Sequence, residues 1–448
     1  MKIDTVKTKN GVLIVSAFFF IIFIANSIAN VKWNYLIVLV FPLLLYISMK
    51  EPFIFPFGAY VLLIPFDAVL SVTGIAKITT VTKILGILTI LVLLLKGSFE
   101  RKFKHPDSAT IWVALFVLYG VLSISWAIEP GLILSRIPTA IGLLIFYVIA
   151  SSYKINEKEF NILKYCIFIG AIIASLYSIY DFIIGKTLFQ RATITLNDQV
   201  MNPNALAFAL LMPLSICTGM MIKQNERIKK LLLITIFGVM LLAIFLSGSR
   251  KCLLGAGVIF IVYSFLAQKR VTFWIIAIAI GSIIISFVPD MIVERAMHLV
   301  KDRGAGRLDI WTVGLKGLEK YFLLGAGLDN FPAVYDQYMD YAPHFVGFRR
   351  GPHNIYLSVI VELGIVGLSL MFFMIWKHYR AIQSRVTQRG GSGIMLQAAF
   401  WAILVSGFFM DVIWDKAFWL LWMMIMMHKN ILQNNSIPNE KTILIKFK

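Results

Sequence analysis

Polar and apolar positions in this chain alternate over whole helices rather than residue by residue. Predominantly apolar stretches lie near 11–29, 33–49, 53–72, 78–95, 110–127, 134–152, 160–184, 203–222, 231–247, 251–268, 271–289, 354–376, 394–411 and 413–428. A helix needs about 20 such residues to cross a hydrocarbon core. Backbone groups in hydrocarbon must be satisfied within their own segment, so these stretches are expected to be helices. The pattern is weakest where Pro56, Pro65 and the polar stretch from Ser71 to Thr82 interrupt it, and at the closely spaced C-terminal pair. Two segments depart from it: a moderate loop at 185–202 and a long one at 290–353, too polar to span and too long to be a mere connector. The expected fold is an all-α polytopic membrane bundle of about 12–14 transmembrane helices with a long helical loop on one side. Its organisation reads as N-terminal transmembrane helices over 1–289, the loop over 290–353, C-terminal transmembrane helices over 354–428 and a tail over 429–448.

Composition agrees with this pattern. The 448 residues are 59% hydrophobic and 15% charged, with mean hydropathy +0.83. That excludes a disordered chain, a coiled coil and a secreted disulfide scaffold. Cys166, Cys217 and Cys252 lie in or beside apolar runs and read as packing residues. A net charge of +19 raises the question of nucleic acid, but Lys and Arg fall in short loops rather than on one amphipathic face. Alternate loops, such as Lys96 to Lys104, Lys223 to Lys230 and Lys377 to Arg389, hold with the two ends of the chain more than half of the 42 basic residues. The positive-inside bias then places these loops and both termini in the cytoplasm. The first span is long, lacks an A-x-A site and is followed at once by another, so it is expected to remain as a helix. Neither a 20-to-50-residue repeat nor an inverted pair of broken helices is evident.

Function is therefore sought in the outer segments. Arg307, Trp311, Leu315 and Leu318 have helical spacing, which predicts a helix with Trp311 anchored at the lipid interface and Arg307 turned toward headgroups. GAGLDN at 325–330 then reads as a helix stop and turn. Without a strand-turn-helix context, Gly325-x-Gly327 does not suggest a nucleotide site.

Basic residues on the supposedly charge-poor outer side are the main anomaly. Arg191 lies in one loop, Arg250 in SGSRK with Lys251 beside it, and Arg303, Arg307, Arg349 and Arg350 in the long loop. Arginine presents a planar fork of donors that matches phosphate oxygens, so a lipid diphosphate is the natural ligand class. The plainer alternative is interfacial snorkelling or pairing with acidic loop residues. His353 sits in GPHNIYL, where Gly351 and Pro352 set a turn and Asn354 is expected to orient the ring. A neutral imidazole there would serve as general base, and nearby arginines would keep it neutral. The alternative is a histidine merely bonded at a helix start.

Metal binding has one candidate, Asp336, Asp340 and His344 at helical spacing, but Pro343 disturbs it and solvated loop charge is preferred. Neither a metal nor a cofactor is expected. The lack of a D-x-D pair argues against a cytoplasmic sugar-nucleotide donor, and the lack of G-x-S-x-G leaves a serine hydrolase unsupported. Glu362 would lie about 13 Å along its helix from His353. Like Asp67, Asp181 and Asp411 it either pairs with a neighbour or belongs to a proton-coupled carrier.

Three stretches, SGSRKCLLG at 247–255, GRLDIWTVGLKGLEKYFLLGAGLDNF at 306–331 and PHNIYLSVIVELGIVGL at 352–368, together resemble the O-antigen ligase and surface polysaccharide polymerase family of bacterial inner membranes. The order of many helices, a long periplasmic loop and a few C-terminal helices is similar too. The resemblance implies a metal-independent membrane glycosyltransferase that takes a glycan from undecaprenyl diphosphate to an acceptor hydroxyl at the periplasmic face. Arg250, Arg307 and His353 match the family's Ser-Arg, Gly-Arg and His-Asn positions. It implies that Arg250 and Arg307 hold the donor diphosphate, Arg191 adds a contact, and His353 activates the acceptor, with inversion at the anomeric carbon. Asn354, Arg349, Arg350 and Trp311 would support the site. A ligase would use lipid A core as acceptor and a polymerase the next lipid-linked repeat unit; the PHNIYL to ELG region favours the ligase. The expected partners are these glycolipids and membrane lipids, with no nucleic acid. The opposing class, a proton-coupled transporter or lipid flippase, would need polar groups along a central pathway instead of at one rim.

Overall fold

A computed structural model describes residues 42–44, 46–72, 79–196, 199–266, 306–383 and 391–436. The expected spans near 11–29 and 271–289, most of 33–49, Arg303 and the end of the tail lie outside the described residues. The described chain is all-α apart from two short hairpins, Ser71–Val72 with Thr79–Thr80 and Thr195–Leu196 with Gln199–Val200. Its helices are α1 (Phe57–Leu63), α2 (Val81–Phe99), α3 (Ser108–Leu122), α4 (Pro130–Ser152), α5 (Glu157–Ile183), α6 (Pro203–Ala209), α7 (Leu211–Lys223), α8 (Arg227–Leu246), α9 (Arg250–Leu266), α10 (Arg307–Tyr321), α11 (Phe331–Tyr338), α12 (Ile355–Gln383), α13 (Gly391–Gly407) and α14 (Lys416–Ser436). Among the described residues, seven helical stretches are long and apolar enough to cross a membrane, with α6 and α7 counted together. The protein is an all-α, multi-pass membrane protein.

Local chemistry sets the helix starts. Thr80, Asp107 and Asn202 each accept a hydrogen bond from a backbone N–H in the first turn of the helix they cap, and Asn156 with Glu159 forms a reciprocal capping box on α5. The stretch at 53–72 is not a span. It folds as the seven-residue α1, a 3-10 turn at Ile64–Phe66 and the first hairpin. Pro56 precedes α1, and Pro65, which has no N–H, lies in the 3-10 turn that follows it. α1 is buried within the bundle, where Phe57 and Tyr60 pack on Phe146 of α4. Asp411 likewise lies in the turn after α13, not inside a helix.

A large core fills the bundle, and a second small one lies at one end, where Ile310 and Val313 of α10 meet Phe331, Val334 and Tyr335 of α11 and Leu357 and Val361 of α12. This small core stands on a polar joint. Gly364 (φ 65°, ψ −168°) breaks α12 two residues after Glu362. The freed carbonyls of Val361 and Glu362 accept from Ala326 N at 3.0 Å and Gly327 N at 2.8 Å, while Ile365 N donates to Phe322 O at 2.7 Å. The Glu362 carboxylate accepts from Asp329 N at 2.8 Å, Phe331 N at 3.4 Å and Ser358 Oγ at 3.2 Å. Asn330 Oδ1 accepts from Glu129 N at 2.6 Å, and Leu328 N donates to Ser123 Oγ at 3.0 Å. The GAGLDN turn is thus fixed between the α3–α4 turn and the opening in α12, and Arg136 pairs with Asp329 at its edge.

Candidate active site

The site is assembled at the end of the bundle opposite the basic loops, beginning with SGSRK. Gly248 has φ 60°, and a Cβ there would come within 3.2 Å of Arg191 Nε. Glycine is needed both for the left-handed turn and for the guanidinium lying over it. Arg191 donates from Nε to Ser247 O at 2.5 Å and from Nη2 to Asn204 Oδ1 at 2.9 Å, so it grips the turn from which α9 starts. Arg250, the first residue of α9, is exposed, whereas Lys251 is buried and donates to Phe409 O at 3.2 Å.

Aromatic contacts bring the remaining pieces to this point. The Phe409 ring stacks on Trp311 with centroids 6.3 Å apart, and Trp311 Nε1 donates to Pro352 O at 2.9 Å. Trp311 is therefore no lipid anchor: its indole turns inward and fastens the His353 turn. An indole N–H turned into protein needs an acceptor, and the Pro352 carbonyl supplies it. The helix predicted from Arg307 is present as α10, yet its packed face is Ile310, Val313, Gly314 and Gly317, while Leu315 is exposed. Asn354 does not orient the histidine either. Its Oδ1 accepts from Tyr356 N at 2.9 Å and Leu357 N at 3.1 Å, capping α12 as a side-chain amide before a helix commonly does.

His353 has φ 48°, an uncommon conformation for a non-glycine residue. Its ring is exposed on one side and has no hydrogen-bond partner among the described residues. Protein packed behind the ring, and the charges of Lys251, Arg307 and Arg350, hold its pKa below the ordinary histidine value, at about 4. The imidazole is neutral throughout the physiological range. Burial and Arg250 in turn lower the pKa of Arg307, and Lys251 lies in electrostatic range of Arg307 and Arg191. Among the described residues no carboxylate forms an ion pair with Arg307 or Lys251.

The structure thus brings Arg191, Arg250, Lys251, Arg307 and His353 into one electrostatic neighbourhood. Arg350 borders it and donates from Nε to Val346 O at 2.5 Å. Arg349 is directed elsewhere, forking onto Glu129 at 2.5 and 2.7 Å and lowering that carboxyl's pKa. Asp336 accepts from Arg349 N at 2.7 Å and His344 faces Asp309 at 3.4 Å, so the spaced trio of Asp336, Asp340 and His344 does not converge. Two further carboxylates serve turns at the same end: half-buried Asp67 pairs with Lys416, and buried Asp181 accepts from Thr195 N at 2.8 Å.

Residues 235–372 match the O-antigen ligase family model. The match supports the O-antigen ligase and polymerase family for this chain, a family of glycosyltransferase type. It runs from within α8 into α12 and so contains Arg250, Arg307, Trp311 and His353, together with the GAGLDN turn and the opening at Gly364. Arg191 and Phe409, which hold the matched segment from either side, lie beyond it. No curated protein matches the chain.

Sequence reasoning found the cations and the histidine but not what holds them. Glu129, Ser123, Asn330 and Phe409 gave no signal, because each acts on residues distant in sequence. Lys251 was visible only as added charge beside Arg250; its burial could not be read from spacing.

Proposed function

We propose that this protein transfers a glycan from undecaprenyl diphosphate to an acceptor hydroxyl at the periplasmic face of the bacterial inner membrane. The ligase reaction, with lipid A core as acceptor, is the favoured form. The observation that carries the reading is a group of cations around a neutral histidine, within the segment that matches the O-antigen ligases. Arginines that share a half-buried space suit a dianionic diphosphate, whose binding relieves their mutual repulsion.

In this reading Arg250 and Arg307 grip the diphosphate and Lys251 adds a fixed charge behind them. Arg191 acts chiefly by holding the Ser247–Gly248 turn, which aims Arg250. The acceptor oxygen attacks the anomeric carbon, a new C–O bond forms, and the bond from that carbon to the phosphate oxygen breaks. The acceptor's proton passes to a ring nitrogen of His353, and the electron pair leaves with the lipid diphosphate, stabilised by the arginines. Attack opposite the leaving group inverts the anomeric centre.

The test is transfer by purified protein from lipid-linked glycan, without added metal, to either lipid A core or a second lipid-linked repeat. A mass increase of the lipid A core identifies a ligase, and dimerised repeat a polymerase. His353→Ala, Arg250→Ala and Arg307→Ala are each expected to reduce transfer at least 100-fold with membrane insertion unchanged. Full activity in all three would remove the proposed site.

A further inference from the structure

The opposite end of the bundle carries a polar site that the proposed reaction does not use. A cavity of about 70 Å³ between α5, α7 and α13 is lined by Lys164, Lys223 and Ser392, with Tyr165, Ile216 and Met220 among its walls. Lys164 Nζ lies 5.6 Å over the Phe160 ring and 3.4 Å from Ser392 Oγ. The two lysines are close enough to repel one another. Glu157 acts on Lys164 from a distance, but among the described residues neither lysine forms an ion pair with a carboxylate. His428 adds a third observation. It is buried, its Nδ1 has no hydrogen-bond partner among the described residues, and it packs on Phe160 with ring centroids 5.5 Å apart, in range of both lysines.

Two ammonium groups converging on a partly buried cleft are unfavourable unless an anion lies between them. Ser392 supplies a hydroxyl donor, and its place in the first turn of α13 adds the partial positive charge of a helix start. The rest of the lining is largely apolar, and exposed Tyr165 marks the flank of α5 where it opens. This combination fits a phosphate that carries a hydrocarbon chain better than a free ion. The end concerned is also the one that the charge bias assigns to the cytoplasm, where leaflets are anionic and basic pockets between helices receive lipid headgroups.

We propose that this cleft binds an anionic phospholipid, with its phosphate accepting from Lys164 Nζ, Lys223 Nζ and Ser392 Oγ and one acyl chain following Ile216 and Met220 toward the membrane centre. The inference is independent of the glycan-transfer reading. Native mass spectrometry of the detergent-purified full chain, titrated with phosphatidylglycerol or phosphatidylcholine, tests it. Wild type is expected to retain phosphatidylglycerol at least tenfold better. Lys164→Gln with Lys223→Gln should remove that preference, because each charge-assisted contact accounts for about tenfold in affinity. Lys164→Arg with Lys223→Arg should preserve it, as should Lys229→Gln with Lys230→Gln on a neighbouring exposed turn. Ser392→Ala, a change small enough to leave the fold intact, should weaken retention several-fold. Equal retention of the two lipids by wild type, or an undiminished preference in the double Gln variant, overturns the proposal. Displacement of phosphatidylglycerol by an equal concentration of inorganic phosphate would assign the cleft to a free anion and overturn it too.

Discussion

Gly364→Ala tests whether this end of the bundle is held by the joint between α12 and the GAGLDN turn. The native backbone at Gly364, φ 65° and ψ −168°, is open almost solely to glycine, and an L-residue held there costs about 1–3 kcal/mol. A Cβ would also overlap the Leu323 carbonyl and approach Gly325 N to 2.7 Å. These are backbone atoms that no rotamer change can move. If the two segments separate to relieve the overlap, the three backbone hydrogen bonds across the joint are lost, at about 0.5–1.5 kcal/mol each. The sum is a destabilisation of about 2.5–7.5 kcal/mol, confined to this end of the bundle. Gly142→Ala is the control, since a Cβ at Gly142 of α4 meets nothing within 4 Å and alanine favours a helix by about 0.5–1 kcal/mol. Hydrogen exchange on purified protein reads the difference directly. Amides of Ala326, Gly327 and Ile365 should exchange at least 100-fold faster in Gly364→Ala and at the wild-type rate in Gly142→Ala, while α5 and α7 stay protected in both. Unchanged protection at those three amides would refute the joint. On the proposed function, transfer should fall as well, because α10 carries Arg307 at its start and enters the joint at its end.

Three further outcomes are expected. On the proposed function, with donor below saturation, kcat/KM should stay level from pH 8 to about 5.5 and fall only as pH drops toward about 4, since His353 would act as base when neutral and burial with the neighbouring cations holds its pKa near 4; a tenfold loss between pH 7 and 5.5 would exclude His353 as the free-enzyme base. A double-mutant cycle of Glu129→Gln and Arg349→Gln should give a coupling of no more than about 1 kcal/mol by chemical denaturation, because both side chains are well exposed. Trp311→Phe preserves the stacking on Phe409 but removes the bond to Pro352 O; it should lower kcat at least tenfold with little change in KM for donor, and Trp311→Ala should not be rescued by a more hydrophobic lipid environment, as a lipid anchor would be.

What the sequence disclosed follows from the range of each interaction. Helices were legible because a 20-residue apolar run allows few alternatives, and α10 because its spacing lies within one element. The turn at GAGLDN was legible from its glycines. The stretch at 53–72 misled because apolar content is the same for a lipid-facing span and for a short helix buried among others, and only the two prolines distinguished them. Trp311 misled for a similar reason: an indole wants one wet or hydrogen-bonded edge, and the Pro352 carbonyl satisfies that need as well as the interface does. Glu362 was visible as a costly carboxylate, but its partners, Asp329 N and Phe331 N, lie more than 30 residues away and have no side-chain signature. Arg349 looked like Arg250 and Arg307 in the sequence; only the fold shows that Glu129 occupies its fork.

The electrostatics also suggest why so depressed a histidine suits the proposed reaction. A base with a pKa near 4 is weak; burial is the largest cause of the depression, and Lys251, Arg307 and Arg350 add to it. A donor diphosphate bound on Arg307 and Arg250 would bring two negative charges into the same space and offset those cations, so the ring's pKa must rise when donor binds. Linkage makes this reciprocal: whatever donor binding does for the proton on His353, that proton does for the donor. On the proposed function the imidazole would then be a poor base in the empty protein and a competent one beside bound donor. After transfer the protonated ring and the departing lipid diphosphate would attract one another, which would couple product release to loss of the proton. Part of the field that keeps His353 neutral would also hold the leaving group, so on the proposed function removing Arg307 should change both donor affinity and the pH at which the histidine titrates.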